Sequence, residues 1–326
     1  MTSLIFALNA VLPIVSIAVI GYLCKRVGLI SVSTAKEMNK IVFRLLLPCM
    51  LFLNVYKIDT LSGFDFGYVW FALVITLIIF LVGIPLCMLV TKNNGQRGPL
   101  LQAIFRSNYA LIGIPLATSL YGEEGSIVAT LLSAFSIPLY NVLAVICLSV
   151  FGDGERIDVK KILLGIVKNP LIRSIALGGV CLLVRAVLRE NGIAWSLADI
   201  RPMYSVIEQL SKTATPVALL ALGAEFELSA VPALKKQILF GTLMRVLAVP
   251  AVALLAAYLF GGFTGAHYAA FVALFATPVA VSSVPMAQEM GADSGLAGQL
   301  VVWTTVVSAF TIFFFSFLLK AVGILS

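Results

Sequence analysis

Charge is scarce in this chain. Only 11% of its 326 residues are Asp, Glu, Lys or Arg, where a soluble domain carries about a quarter. Histidine is scarcer still: His267 stands alone, which argues against His-based metal sites and against Ser–His or Cys–His catalysis. Five cysteines occur, Cys24, Cys49, Cys87, Cys147 and Cys181, all in apolar stretches and none in CxxC spacing. An odd count in such settings argues against a disulfide framework or a zinc site. No HExxH, GxSxG or P-loop pattern is present, so no catalytic residue, metal or cofactor is assigned. Acidic residues are few as well. The fifteen lie almost all in loops or at the ends of apolar segments, and only Glu208 and Glu289 come near an apolar interior.

Hydrophobic residues make up 61% of the chain and the mean hydropathy is +1.07. Water cannot be the main solvent for such a surface, and a bilayer is the implied partner. A helix needs roughly 20 apolar residues to cross one. Ten segments qualify, roughly 4–24, 38–56, 67–90, 99–121, 125–150, 171–188, 203–224, 235–260, 266–289 and 296–320. The first has no basic residue before it and Lys25-Arg26 after it, the reverse of a signal peptide, so it reads as a retained span. The net charge of +7 reads as membrane topology and not as a nucleic-acid surface. Loops after odd-numbered segments hold Lys25, Arg26, Lys36, Lys92, Arg97, Arg156, Lys160, Lys161, Lys168, Lys235 and Lys236, whereas the other side holds Lys57, Arg185, Arg189, Arg201 and Lys320. The positive-inside rule puts the richer set in the cytoplasm and both termini outside.

The chain repeats itself. Ala103–Gly125 (AIFRSNYALIGIPLATSLYGEEG) aligns without a gap on Ala273–Gly295 (ALFATPVAVSSVPMAQEMGADSG), pairing Phe105 with Phe275, Ser107 with Thr277, Gly113 with Ser283 and Pro115 with Pro285. Pro48 echoes Pro216, and Pro13-x7-Gly21 echoes Pro170-x7-Gly178, in the same order. Five segments per half is an odd number, so the second half enters the membrane from the opposite side. The expected architecture is an all-α polytopic membrane protein of two inverted five-helix repeats, residues 1–151 and 171–326, joined by a cytoplasmic loop at 152–170.

Segments four and nine carry the main functional signal. SNYALIGIP ends on Pro115 and TPVAVSSVP, which includes Pro278, ends on Pro285. Proline inside a helix removes one hydrogen bond and clashes one turn back. In hydrocarbon, freed backbone groups cost several kcal/mol each, roughly, unless protein or water satisfies them. Matched breaks in inverted halves would meet near the midplane, where half-helix ends suit an ionic substrate.

FRSNYALIGIPLA, followed by a ninth segment with its own paired proline, resembles the auxin efflux carrier family of membrane transport proteins, with plant auxin carriers and bacterial malate and malonate permeases among its members. The resemblance spans the chain. It implies a fold similar to bile acid–sodium symporters, with segments 1, 2, 6 and 7 as scaffold, 3–5 and 8–10 as transport domain, and segments 4 and 9 crossing in an X. It also implies elevator-like movement, a plasma (inner) membrane location and a homodimer through the scaffold. Asn108 matches the family's asparagine before the crossing and so a direct ligand. Pro115 and Pro285 match the crossover prolines. Ser282 and Ser283 sit where segment nine would offer hydroxyl and backbone groups.

Other residues have two readings. Arg106 beside Ser107 could pair with a substrate carboxylate or snorkel to the cytoplasmic headgroups. Arg245 could serve the same end or pair with an acid. By the same resemblance Ser136, Pro138 and Asn141 fall near positions that line the site; Ser136 and Asn141 could instead bond between helices. Gln288-Glu289, just past Pro285, is the candidate for proton or cation coupling. The leading expectation is a secondary transporter of small organic anions. The alternatives are a sodium-coupled symporter of the bile acid type and a membrane sensor that binds a solute without moving it.

Overall fold

A computed structural model describes residues 2–57, 66–151 and 159–325. Arg156, counted above on the cytoplasmic side, lies outside them. The described residues are mostly helical. In chain order the helices are α1 (Thr2–Arg26), α2 (Val32–Tyr56), α3 (Gly67–Val90), α4 (Asn94–Phe105), α5 (Tyr109–Val150), α6 (Val159–Lys168), α7 (Pro170–Glu190), α8 (Arg201–Glu225), α9 (Leu228–Phe260), α10 (Gly265–Phe275), α11 (Ser283–Glu289) and α12 (Ser294–Ala321). Six of them, α2, α3, α5, α7, α9 and α12, are long and apolar enough to cross a membrane. Their outward faces are apolar, with Leu81, Leu89, Leu183, Val187 and Leu259 exposed, as lipid-facing surface requires.

The described helices follow the apolar segments with three differences. Segment four is divided between α4 and the start of α5, and segment nine between α10 and α11. α5 runs through the expected boundary near residue 122, but Tyr121 and Gly122 leave helical geometry there, Gly122 at φ 61°. A short helix, α6, forms in the stretch read as loop; its Val159, Ile162, Leu163 and Ile166 recur at three- and four-residue spacing, which is a helical period.

Three prolines share one local solution. Each of Pro48, Pro115 and Pro250 is preceded by a π-helical turn: Val42–Leu46, Tyr109–Gly113 and Met244–Ala248. The residue before each proline donates its N–H to the carbonyl five residues back, Leu47 to Val42, Ile114 to Tyr109 and Val249 to Met244. The widened turn accommodates a pyrrolidine ring that would clash with the carbonyl four residues back.

Glycines set two close helix pairs. A Cβ at Gly21 in α1 would overlap the Leu220 carbonyl of α8, and one at Gly178 in α7 would lie 2.8 Å from the Phe52 carbonyl of α2. Gly21 and Gly178 are the equivalents in the Pro-x7-Gly echo. Phe52 and Leu220 each stand four residues after a matched proline, Pro48 or Pro216. The echoes in sequence are therefore echoes in packing. Small residues let backbones approach where lipid supplies no hydrophobic drive to helix association. The interior belongs to α10 and the strand-like segment after it, where residues 268–281 are buried without a break.

Candidate functional site

The helix interruptions meet inside the protein. α4 stops at Phe105, and Arg106 and Asn108 take non-helical backbone conformations (φ −95°, ψ 119° and φ −83°, ψ 53°) before α5 begins. α10 stops at Phe275, and α11 begins only at Ser283. Ser107 and Val279 face each other in an isolated antiparallel bridge, and the Asn108 N–H donates to the Pro278 carbonyl at 2.7 Å. Asn108 and Pro278 occupy the same position in the two aligned stretches. Antiparallel pairs at such a position normally exchange two hydrogen bonds. Pro278 has no N–H to return, so the Asn108 carbonyl accepts instead from the Ile112 N–H at 3.0 Å.

Arg106 turns inward. Its side chain is buried, with Nη2 donating to Asn141 Oδ1 and to Ser282 Oγ, both at 2.8 Å, and Nη1 donating to Gln102 Oε1 at 2.9 Å and contacting Met286 Sδ. It does not snorkel. Every one of those partners is neutral, so the guanidinium keeps its full charge in a region poor in water. Asn141, anchored by its own Nδ2 to the Ile137 carbonyl at 2.8 Å, and Ser282 thus belong to one polar cluster with Arg106. Asn108 Nδ2, Ser136 Oγ and Ser283 Oγ are buried without a hydrogen-bond partner, a condition that costs about 1–3 kcal/mol for each group left so.

A cavity of about 690 Å³ lies between this crossing and helices α1, α2 and α8. Asn108, Pro115 and Ser282 form its crossing side; Pro13, Ile17, Leu47 and Met50 give it an apolar opposite wall. Lys212 of α8 also lines it. That lysine bonds Glu208 at 3.4 Å, and Glu208 is shared with Lys57 at 3.3 Å, which makes a triad. An anion in the cavity would lie against Asn108, whose buried Nδ2 has no partner, and against Ser282. Arg106 stands one side chain behind, polarising the Ser282 O–H it bonds.

Not every candidate reaches the cavity. Gly113 packs against α10, where an added Cβ would sit 3.0 Å from the Ala273 carbonyl. Pro285 is buried in the first turn of α11, and the Ser283 and Val284 N–H groups are used within that turn, on the Ala280 and Val281 carbonyls. Gln288 and Glu289 lie at the far end of α11 against α2. Gln288 Oε1 accepts from Asn39 Nδ2 at 3.2 Å, its Nε2 donates to the Lys36 carbonyl at 2.9 Å, and Glu289 pairs with Arg44 at 3.0 Å.

Sequence reading missed three participants and misjudged the role of a fourth. Gln102, one helical turn before Arg106, was hidden in an apolar run. Asn39 is fully buried and also reaches Glu225 at 3.3 Å, joining α2, α8 and α11. Glu225 looked like a helix-end acid. Arg245 is fully buried and engages neither a carboxylate nor the cavity, but the main chain of both interruptions. The spacing of Gln102 and Arg106, four residues apart, was the one signal available.

An apolar helical protein with two interrupted helices meeting at a buried, cation-bearing crossing beside a cavity has the makings of a membrane transport protein. Comparison with known proteins agrees: the chain belongs to the membrane transport protein family, the auxin efflux carrier-like group, matching it over residues 6–316. It is similar to an uncharacterized transporter of Methanothermobacter thermautotrophicus, 21% identical over 320 residues that cover 92% of this chain and 94% of that protein. It is also similar to an uncharacterized transporter of Methanocaldococcus jannaschii, 28% identical over 123 residues, 36% of this chain and 39% of that protein. It is a multi-pass membrane protein of that transport family.

Proposed function

We propose that this protein is a secondary transporter of small organic anions, mono- or dicarboxylates, bound at the crossing between Asn108 and Ser282. The observation that carries the reading is the buried Arg106 guanidinium, hydrogen-bonded only to neutral acceptors, directly behind the cavity wall. A buried charge without a counter-charge is costly, and an intramembrane ionisable group marks a substrate path by default. A carboxylate in the cavity would complete the site. It would accept from the Asn108 amide and the Ser282 hydroxyl while Arg106 and Lys212 supply positive potential.

The movement we propose is elevator-like. Residues 1–151 and 171–326 form two inverted repeats, α1, α2, α7 and α8 make the scaffold, and α3–α5 with α9–α12 carry the site. The equivalent glycine contacts at Gly21 and Gly178, and the pairing of Asn108 with Pro278, support the two-fold relation. The apolar scaffold wall at Pro13, Ile17, Leu47 and Met50 supports sliding, since it makes no directional bonds with the crossing. The Asn39–Gln288 and Arg44–Glu289 bonds would hold one end of the path closed. In the plasma membrane, with the termini outside, that is the cytoplasmic end. Uptake into proteoliposomes tests this reading. Flux of malate, malonate or indole-3-acetate is expected; folded protein that moves none of them contradicts it.

A further inference from the structure

Arg245 has a role that the anion site does not use. It lies in the π turn of α9, fully buried. Its Nε donates to the Thr277 carbonyl at 2.9 Å, Nη1 to the Ile104 carbonyl at 3.2 Å, and Nη2 to the Leu274 and Phe275 carbonyls at 2.9 and 2.7 Å. Ile104 and Leu274 are equivalent positions in the two aligned stretches, so one guanidinium spans both halves.

Three of these carbonyls have lost their ordinary donor. In an unbroken helix Ile104 would accept from the N–H of residue 108, Leu274 from 278 and Phe275 from 279. The Asn108 N–H goes to Pro278, Pro278 has no N–H, and the Val279 N–H goes to Thr304 Oγ1 at 3.1 Å. What the breaks create is a convergent set of carbonyl oxygens at the negative ends of two half-helices. That is the ligand set with which discontinuous membrane helices hold a monovalent cation. Arg245 already fills it. Arginine holds its proton in proteins, and this one is tethered.

We infer that Arg245 is the resident cation of the crossing, that the carrier uses no exchangeable alkali cation there, and that removing the guanidinium makes the crossing cation-dependent. The inference rests on the transport reading above for its meaning, but its test does not. Thermal unfolding of the detergent-purified full chain is measured at equal ionic strength in sodium, potassium or choline chloride, with and without millimolar guanidinium. Wild type is expected to melt alike in all of them. Arg245→Met is expected to melt lower in choline and to recover with sodium or guanidinium, gaining about tenfold in the folded-to-unfolded ratio near its midpoint. Wild type stabilised by sodium over choline, or an Arg245→Met protein indifferent to every cation, overturns the inference. If Arg245→Met cannot be isolated folded, Arg245→Lys takes its place. Its single ammonium leaves part of the carbonyl set open, so it should melt below wild type and recover partly with guanidinium; indifference overturns the inference equally. Failure of the anion reading shows separately, as wild type that no carboxylate stabilises.

Discussion

Two arginines stand at the crossing, and they differ in what holds them. Arg106 is held by side chains, the Gln102 amide oxygen, the Asn141 amide oxygen and the Ser282 hydroxyl. Arg245 is held by main-chain carbonyls alone. Side-chain acceptors can rotate away when a better, negatively charged partner arrives. Carbonyls at the ends of packed helices cannot, because moving them means rebuilding the fold. The same residue type is therefore held in two ways at one crossing: Arg245 by the carbonyls of the half-helix ends, and Arg106 by side chains one step behind the cavity wall. The lesson is that the donor count of an arginine says little about its function until its acceptors are sorted into mobile and fixed.

Substitutions separate the two. The largest effect is expected at Arg245. Arg245→Met takes the guanidinium donor from four carbonyls, at about 1–3 kcal/mol each, and should lower the thermal midpoint steeply and abolish uptake together. Asn108→Ala comes next. It removes the partnerless amide donor of a residue that lines the cavity, and with it a hydrogen bond to a charged ligand worth about 1.5–3 kcal/mol, so carboxylate affinity should fall roughly ten- to a hundredfold while expression and thermal midpoint stay near wild type. Uptake kinetics and a melting curve on the same preparation check both. Arg106→Gln should be milder, because the guanidinium acts through Ser282: about tenfold in affinity, greater for dianions than for monoanions, measured as paired KM values for malonate and a monocarboxylate. Equal loss for both would make Arg106 another structural cation and erase the contrast with Arg245. The smallest effect belongs to Lys212→Gln. This side chain is 71% exposed and already paired with Glu208, so its loss should chiefly weaken the salt dependence of the association rate.

How much of this could be read from the chain follows from the same distinction. The interruptions were legible because proline, glycine and small polar residues mark them, and the internal echo put Pro115 and Pro285 in register. Asn108, Arg106, Ser282 and Asn141 were legible because a polar side chain in an apolar run is conspicuous; Arg106, Ser282 and Asn141 form one cluster, and Asn108 lines the cavity beside it. Arg245 was equally conspicuous, yet its role was not, since main-chain acceptors leave no mark in sequence. Gly113 and Pro285 turned out to shape backbone packing beside the cavity without lining it. The α2–α8–α11 network was hidden for a different reason: Asn39, Glu225 and Gln288 are far apart in sequence, and only the packing of three helices brings them within 3.3 Å of one another in succession. The short helix α6 was missed because the basic residues around it outweighed its apolar period.

The most direct test of the central claim, an anion site at Asn108 and Ser282 backed by Arg106, is a carboxylate panel scored by thermal shift on wild type and Asn108→Ala side by side. Ligand that binds only folded protein raises the midpoint, by a stabilisation that grows with the ratio of ligand concentration to Kd. The account expects at least one small mono- or dicarboxylate to stabilise wild type and to lose that effect in Asn108→Ala at unchanged basal stability. Stabilisation that persists undiminished in Asn108→Ala would contradict it.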